Sequence, residues 1–394
     1  MTSLAQATAA RENDLNDLNE FTDLDDLDLE GAVVASGVQD PTDPTDLREI
    51  VDVVIGVDTH VDTHTAAVVD ARTGGVLAQL TVDATADGYA ELVAFVDEHA
   101  ALRMWAIEGT GCHGAGLTRH LHERAEVVVE LDRPERPHRR NGAKSDATDA
   151  VRAAREALAR PRLGTPRSGG DRQILSVRLA ARRSAVEAAT STERQIFALL
   201  IAAPEPLRAI FRGLKMPATI TRAAALRARR GWDAETRATA DTLRILARRA
   251  RDLRTEAAAH ERAITAIVRS WRPDLLDQLG VGPIVAATVL CAWSHAGRIA
   301  DEAGFAMLAG VAPIPANSGR TTNRYRLNRY GDRRLNCALH TIVITRIRCA
   351  HPATVAYIER RTAEGKTLRE IKRCLKRYIA RDLYRLLEAG PNPA

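Results

Sequence analysis

The chain predicts an α/β domain followed by a largely helical remainder, and three observations carry this. Short apolar runs follow one another between residues 53 and 83, then alternate with helical periods up to about residue 160. Two later segments, 171–200 and 241–271, repeat apolar residues at intervals of three and four. The final stretch, 273–390, mixes helical periods with an Arg-rich turn.

Composition sets the outer limits. With 394 residues, 45% of them apolar, the chain can fill two or three cores of ordinary size. Aromatics are only 4%, so Leu, Val, Ile and Ala must fill those cores. No apolar run reaches the length of a membrane span, and the N-terminus lacks the basic and apolar regions of a secretory signal. The five Cys are scattered without a CxxC pair, which fits free thiols in a reducing cytoplasm and argues against a zinc ribbon or a disulfide framework. Charge is unevenly shared. Residues 1–50 hold 13 acids and 2 bases, leaving 54 bases against 38 acids in the rest. A basic, Arg-rich body suits a polyanionic partner, although Arg-rich codon usage would raise the same count.

Residues 1–48, with NDLNDLNEFTDLDDLDLE and PTDPTD, are expected to be a disordered acidic extension. From there to residue 160 the reading is α/β. VDVVIGVD is a strand, and THTAAVVDARTGGVLAQLTVD is a hairpin turning at Thr73–Gly75. Helices are expected at 86–99, 114–124 and 146–159, and strands at 104–108 and 126–131. Three consecutive strands followed by alternating helix and strand is the order of a ribonuclease-H-like sheet. Such sheets bring their strand ends to one rim.

Four carboxylates are candidates for that rim. Asp58 and Glu108 each close an apolar strand. Asp146 and Asp149 sit three apart at a helix start, on one face, behind Ser145 as N-cap. Clustered carboxylates repel unless a cation neutralises them, and hard oxygen ligands select Mg²⁺, with Mn²⁺ as the alternative. Such a site could act on a phosphodiester. The spacing fits equally well a pair of acids favouring the helix dipole and Asp58 as a turn residue. His60, His64, His113, His120, His122 and His138 also gather here, but no HxxxH lies on a helix with a suitable acid for zinc. The run RPERPHRRNGAKSD reads as a basic loop over the rim, whose Arg139, Arg140 and Lys144 could hold phosphates or simply be solvated.

After the link PRLGTPRSGG the two long periods predict a coiled-coil hairpin within 171–272, or pairing between chains. In the first helix the seam would run through Leu175, Leu179, Arg182, Val186, Ala189, Glu193, Ile196 and Leu200. In the second it would run through Leu243, Leu246, Ala250, Leu253, Ala257, His260, Ile264 and Ile267. Beyond it LLDQLGVGPIVAATVLCAW resembles a helix–hairpin–helix element, in which Gly280 and Gly282 would let backbone N–H groups approach a phosphate or would simply make a tight turn. Residues 317–349 hold eight Arg and one Asp, with Tyr325 and Tyr330 interleaved. Arg320, Arg324, Arg326, Arg329, Arg333 and Arg334 make this the strongest nucleic-acid signal in the chain. Within it Ser318 lies in an Asn-Ser-Gly turn, as a turn former or as a hydroxyl able to attack phosphorus. A basic amphipathic helix over 366–388 closes the chain, lined by Leu368, Ile371, Leu375, Ile379, Leu383 and Leu386.

Taken together, GVDTHVDTH, IEGTG, AKSDATDA, GVGPIVAATVL, FAMLAGVAPIPANSG and NRYGDRRL, in this order, resemble the DEDD transposases of bacterial insertion sequences, described as bridge-RNA-guided serine recombinases. The likeness runs from Val53 to Leu387. It implies a RuvC-like domain over 49–160, a coiled coil, and a C-terminal transposase domain over 273–390. It implies that Asp58, Glu108, Asp146 and Asp149 hold Mg²⁺ and that Ser318 forms a phosphoserine link to DNA. It further implies a dimer or tetramer acting on target and donor DNA, chosen by a structured guide RNA, in a bacterial cytoplasm at the nucleoid. The acidic extension exceeds what such chains usually carry, and Asn317 stands where the family varies, leaving the Ser-Gly pair as the anchor. The competing reading of the same carboxylates is a Mg²⁺-dependent junction-resolving nuclease that uses water instead of Ser318.

Overall fold

A computed structural model describes residues 47–131, 145–160, 162–316, 318 and 325–390. The acidic segment 1–46 lies outside these residues, as do Arg139, Arg140, Lys144, Arg320 and Arg324. After a single helical turn, α1 (Leu47–Ile50), five strands form one sheet: β1 (Val53–Thr59), β2 (Thr63–Asp70), β3 (Val76–Asp83), β4 (Arg103–Glu108) and β5 (Val128–Leu131). Their order is β3-β2-β1-β4-β5. The first three are antiparallel neighbours, and β4 and β5 run parallel to β1. Parallel neighbours need crossovers, supplied by α2 (Ala86–Asp97) and α3 (Ala115–His122).

Strand alternation divides the sheet into two cores. Val53, Ile55 and Val57 join Leu92, Val96, Leu117 and Leu121 on the α2–α3 face. Val54, Ala67, Met104 and Ala106 join Ala150, Ala154 and Ala157 of α4 (Asp146–Ala159) on the other. This mixed sheet with helices on both faces is consistent with the expected ribonuclease-H-like fold.

The long helices α5 (Gly170–Ala202) and α8 (Ala234–Trp271) pack along each other. Arg178 meets His260, Arg182 meets Glu261 and Glu193 meets Arg254, so the helices run antiparallel within one chain. The buried stripe of α8 is Thr236, Ala240, Leu243, Ala247, Ala250, Ala257, Ile264 and Val268. It shares Leu243, Ala250, Ala257 and Ile264 with the expected seam. The intervening positions shift by one residue, from Leu246 to Ala247 and from Ile267 to Val268. Ala247 packs in one cluster with Ile196 of α5, and Val268 in another with Leu175 at the opposite end of the pair. Two helices that the sequence reading leaves unassigned, α6 (Glu205–Phe211) and α7 (Met216–Ala224), cap the far end of this hairpin. Leu207, Phe211, Ile220 and Trp232 pack there on Ile196 and Leu243.

The remaining helices are α9 (Pro283–Trp293), α10 (Glu302–Leu308), α11 (Arg333–Arg348), α12 (Pro352–Ala363) and α13 (Leu368–Glu388). They build a core with Leu175, Ile264 and Val268 from the root of the hairpin. The first arm of the expected helix–hairpin–helix is a single 3-10 turn, Pro273–Leu275, so only α9 forms a helix there. Gly280 adopts φ +92° against the backbone of Ile342 in α11, a conformation that favours glycine. α13 opens with a Thr367–Glu370 capping box and buries Ile371, Leu375, Ile379, Leu383 and Leu387, whereas Leu368 is half exposed. Its last carbonyls are met by Arg272, which is fully buried, pairs with Asp274, and donates to the carbonyls of Leu386 and Leu387 at 2.8 and 3.0 Å.

Buried polar contacts join this helical core to the sheet. Glu130 on β5 accepts from Arg298 at 3.1 Å and from Arg167 at 3.4 Å, and the Ser168 N–H donates to the Ser294 hydroxyl at 2.8 Å. Among the described residues no helix is long and apolar enough to cross a membrane.

Candidate active site

The site begins with a glycine. At Gly56 a Cβ would lie 2.0 Å from the carbonyl oxygen of Ala150 and 2.5 Å from the amide nitrogen of Ala154. The bare backbone of β1 therefore lets α4 lie directly on the strand, and the first turn of α4 arrives beside the strand's end. Ser145 caps that turn, its hydroxyl accepting from the Thr148 N–H at 3.3 Å, as the sequence predicts.

Parity does the rest. Val54 and Gly56 face α4, so Asp58 and His60 are directed to the same side at the strand's exit. The His60 Nε2 lies 3.4 Å from a carboxylate oxygen of Asp58 and 3.4 Å from one of Asp146. One ligand atom from each of Asp58, His60 and Asp146 falls within 4.8 Å of the others, and Asp58 is the least exposed of the three. Two carboxylate oxygens and one imidazole nitrogen converging on one point are a donor set that suits a divalent cation.

The other two predicted carboxylates stand near but outside this group. Glu108 ends β4, the strand beside β1, and is exposed. The Thr59 hydroxyl ties the two strand ends together by donating to the Glu108 carbonyl at 3.1 Å. Asp149 lies one turn along α4, half-buried and paired with Arg152. The residue that sequence reasoning missed is His60. The sequence shows it among six clustered histidines and beside Asp58 in GVDTHVDTH, and the two-residue step from Asp58 places both on one face.

Behind the rim, on the opposite face, His64 is buried and stacks on Tyr89 with ring centroids 5.6 Å apart. Its Nδ1 lies 2.9 Å from the Thr63 carbonyl, which can only accept, so Nδ1 carries the proton and Nε2 is left without a protein partner. Burial pushes its pKa below the ordinary value. The unfolded chain therefore binds the proton more readily. The contribution of His64 to stability is intact above about pH 6.5 and is lost as pH falls through that value toward the folded pKa. Urea midpoints measured from pH 8 to pH 5 should fall below pH 6.5, and less steeply in His64→Gln.

The second part of the site is the loop that carries Ser318. Strands β6 (Ile314–Pro315) and β7 (Tyr325–Arg326) pair across it, and Ser318 is exposed. Its base rests on glycine against glycine: a Cβ at Gly331 would meet the amide nitrogen of Gly310 at 2.2 Å and its Cα at 2.3 Å. Asp332 then caps α11 by accepting from the N–H groups of Arg334 and Leu335. Arg326, Arg329, Arg333, Arg334 and Tyr330 are exposed around this base, and Tyr325 is half-buried. Gly282 is the N-cap of α9, where a Cβ would meet nothing within 4 Å.

Comparison with known proteins agrees with this layout. The family model described as "Transposase IS116/IS110/IS902 family" matches residues 274–359, which contain α9 to α11 and the Ser318 loop. A second model, the DEDD transposase of the IS110 group, matches residues 55–203, from β1 through α5. A search of curated proteins finds no significant match. Two models of one kind of enzyme thus account for both the carboxylate rim and the Ser318 loop, and the chain belongs to the DEDD transposases of insertion sequences, enzymes that cleave and rejoin DNA.

Proposed function

We propose that this transposase exchanges DNA strands through a phosphoserine intermediate on Ser318, with donor and target DNA chosen by a structured guide RNA and with subunits paired as a dimer or tetramer. The observation that carries the reading is the convergence of Asp58, His60 and Asp146 on one rim, in a chain whose exposed Ser318 sits on a loop with a fixed base. Asp58, His60 and Asp146 would hold the metal in this reading. Glu108, at the end of the neighbouring strand, and Asp149, one turn along α4, would be the further carboxylates of the set. A Mg²⁺ or Mn²⁺ ion held there would neutralise charge at the scissile phosphate.

The chain's own residues do the rest. The Ser318 oxygen forms a bond to phosphorus as one P–O bond of the DNA backbone breaks. The hydroxyl proton goes to a base, and the departing deoxyribose oxygen takes one up. Reversal with the hydroxyl of a second DNA end rejoins the strands and frees Ser318. One phosphodiester, between two deoxyriboses, is exchanged for another, between Ser318 and one deoxyribose, so no external energy source is required. Arg329, Arg333 and Arg334 lie where they can hold the backbone while this happens.

The test is covalent trapping. Protein co-purified with its RNA is mixed with Mg²⁺ and labelled element-junction DNA, then quenched in denaturant. A labelled protein band is expected, and Ser318→Ala should remove it completely. Cleaved DNA without a labelled band would instead establish a nuclease that uses water.

A further inference from the structure

The C-terminus of α10 is a short helix end whose carbonyls need partners. Those of Phe305 and Ala306 are satisfied by the N–H groups of Ala309, Val311 and Ala312, and the four carbonyls from Met307 to Gly310 are met by the chain on the far side of the Ser318 loop. The Met307 carbonyl accepts from the Asn328 amide at 2.9 Å, and the Leu308 carbonyl from the Asp332 N–H at 2.6 Å. The Ala309 carbonyl accepts from the Asn336 amide at 2.8 Å, and the Gly310 carbonyl from the same amide at 3.4 Å. Both ends of the loop are thus sewn to one helix end. Asn336 is in turn held from outside the loop, because its carbonyl oxygen accepts from the Lys376 ammonium of α13 at 2.9 Å.

We infer that Lys376 and Asn336 are positioning residues for the transposition reaction, a two-step tether through which α13 fixes the base of the Ser318 loop. Two features favour this over mere packing. A side-chain amide can swing between rotamers, and a fixed donor on its oxygen leaves its nitrogen aimed at the Ala309 carbonyl. An ammonium is also an expensive choice for that place. Burial, with Arg373 nearby, pushes the Lys376 pKa down to about 8. Packing alone calls for no charged group at that place.

The inference rests on Ser318 as nucleophile, and its test has one arm that does not. Lys376→Met, Lys376→Arg and Asn336→Asp are compared in the full-length, RNA-loaded protein. Asn336→Asp keeps an acceptor for Lys376 but cannot donate to Ala309. The first readout is amide hydrogen exchange at Gly310–Ala312, where the Val311 and Ala312 N–H groups bond the Ala306 carbonyl at 2.9 and 3.2 Å. The second is the single-turnover rate of serine–DNA adduct formation at saturating DNA, beside the DNA dissociation constant. Lys376→Met and Asn336→Asp should speed exchange at the loop base and slow adduct formation roughly 10- to 100-fold, the scale of a displaced reacting group, with DNA affinity unchanged. Lys376→Arg should restore most of the rate. Unchanged exchange in both variants would overturn the tether whatever the nucleophile. Faster exchange with an unchanged rate would overturn the positioning role, as would a loss of affinity that accounts for the whole effect. A wild-type protein that forms no serine adduct would overturn the nucleophile and this role with it, and the exchange data would then describe a structural contact only.

Discussion

Asp58→Asn is expected to abolish metal-dependent strand transfer while leaving the fold standing. The side chain keeps its size and loses the charge that faces His60 and Asp146. Metal-held charge stabilisation is worth several kcal/mol in phosphoryl chemistry, so the rate should fall on the order of 10³-fold. The stability signature has the opposite sign. In metal-free protein Asp58 and Asp146 are like charges brought close together, so removing one should leave the melting temperature unchanged or raised. Wild type should gain stability on adding Mg²⁺ or Mn²⁺, by about 2.7 kcal/mol at a hundredfold excess over the dissociation constant. Asp58→Asn should gain almost nothing. Melting curves with and without each ion measure this directly, and equal gains in both proteins would remove Asp58 from the metal site.

Gly56→Ala should have the largest effect on the fold. The new methyl group meets backbone atoms of Ala150 and Ala154, which cannot rotate away. Overpacking a core usually costs about 1–3 kcal/mol, and a clash with backbone belongs at or above the upper end. The strand and α4 can relieve it only by moving apart, which carries Asp146 away from Asp58. The variant should therefore lose both urea resistance and the ion-induced gain in melting temperature. Pairing it with Ala154→Gly relieves only a side-chain contact at 3.0 Å and should not rescue either property.

Much of this architecture was legible because local rules and tertiary packing agree. The strand ends at Asp58 and Glu108, the hairpin turn near Thr73, and α4 with its Ser145 cap depend on near neighbours in sequence. The parts that were not legible depend on distant partners. His60 gains its meaning from Asp146, which reaches it only once α4 has settled on Gly56. The seam of α8 has two registers that share Leu243, Ala250, Ala257 and Ile264, and apolarity favours the one with more Leu. Close approach of the helices selects the other, with Ala247. α6 and α7, of seven and nine residues, are shorter than a periodicity window and are defined by their packing on Trp232 and Leu243. The Gly310–Gly331 contact joins two motifs that were read separately, and no pattern in either one announces the other.

The buried pairing of Arg272 with the end of α13 has a consequence for how the enzyme is made. The two apolar cores of the sheet draw their buried residues from 53–158, so this portion can begin to assemble while the ribosome is still working. The core under the Ser318 loop needs Ile371, Leu375, Ile379 and Leu387, and the carbonyls that Arg272 grips belong to the last turn of α13. The nascent polypeptide thus possesses its acidic rim well before the loop that would complete it. The core under the Ser318 loop therefore waits for α13, whereas the acidic rim does not.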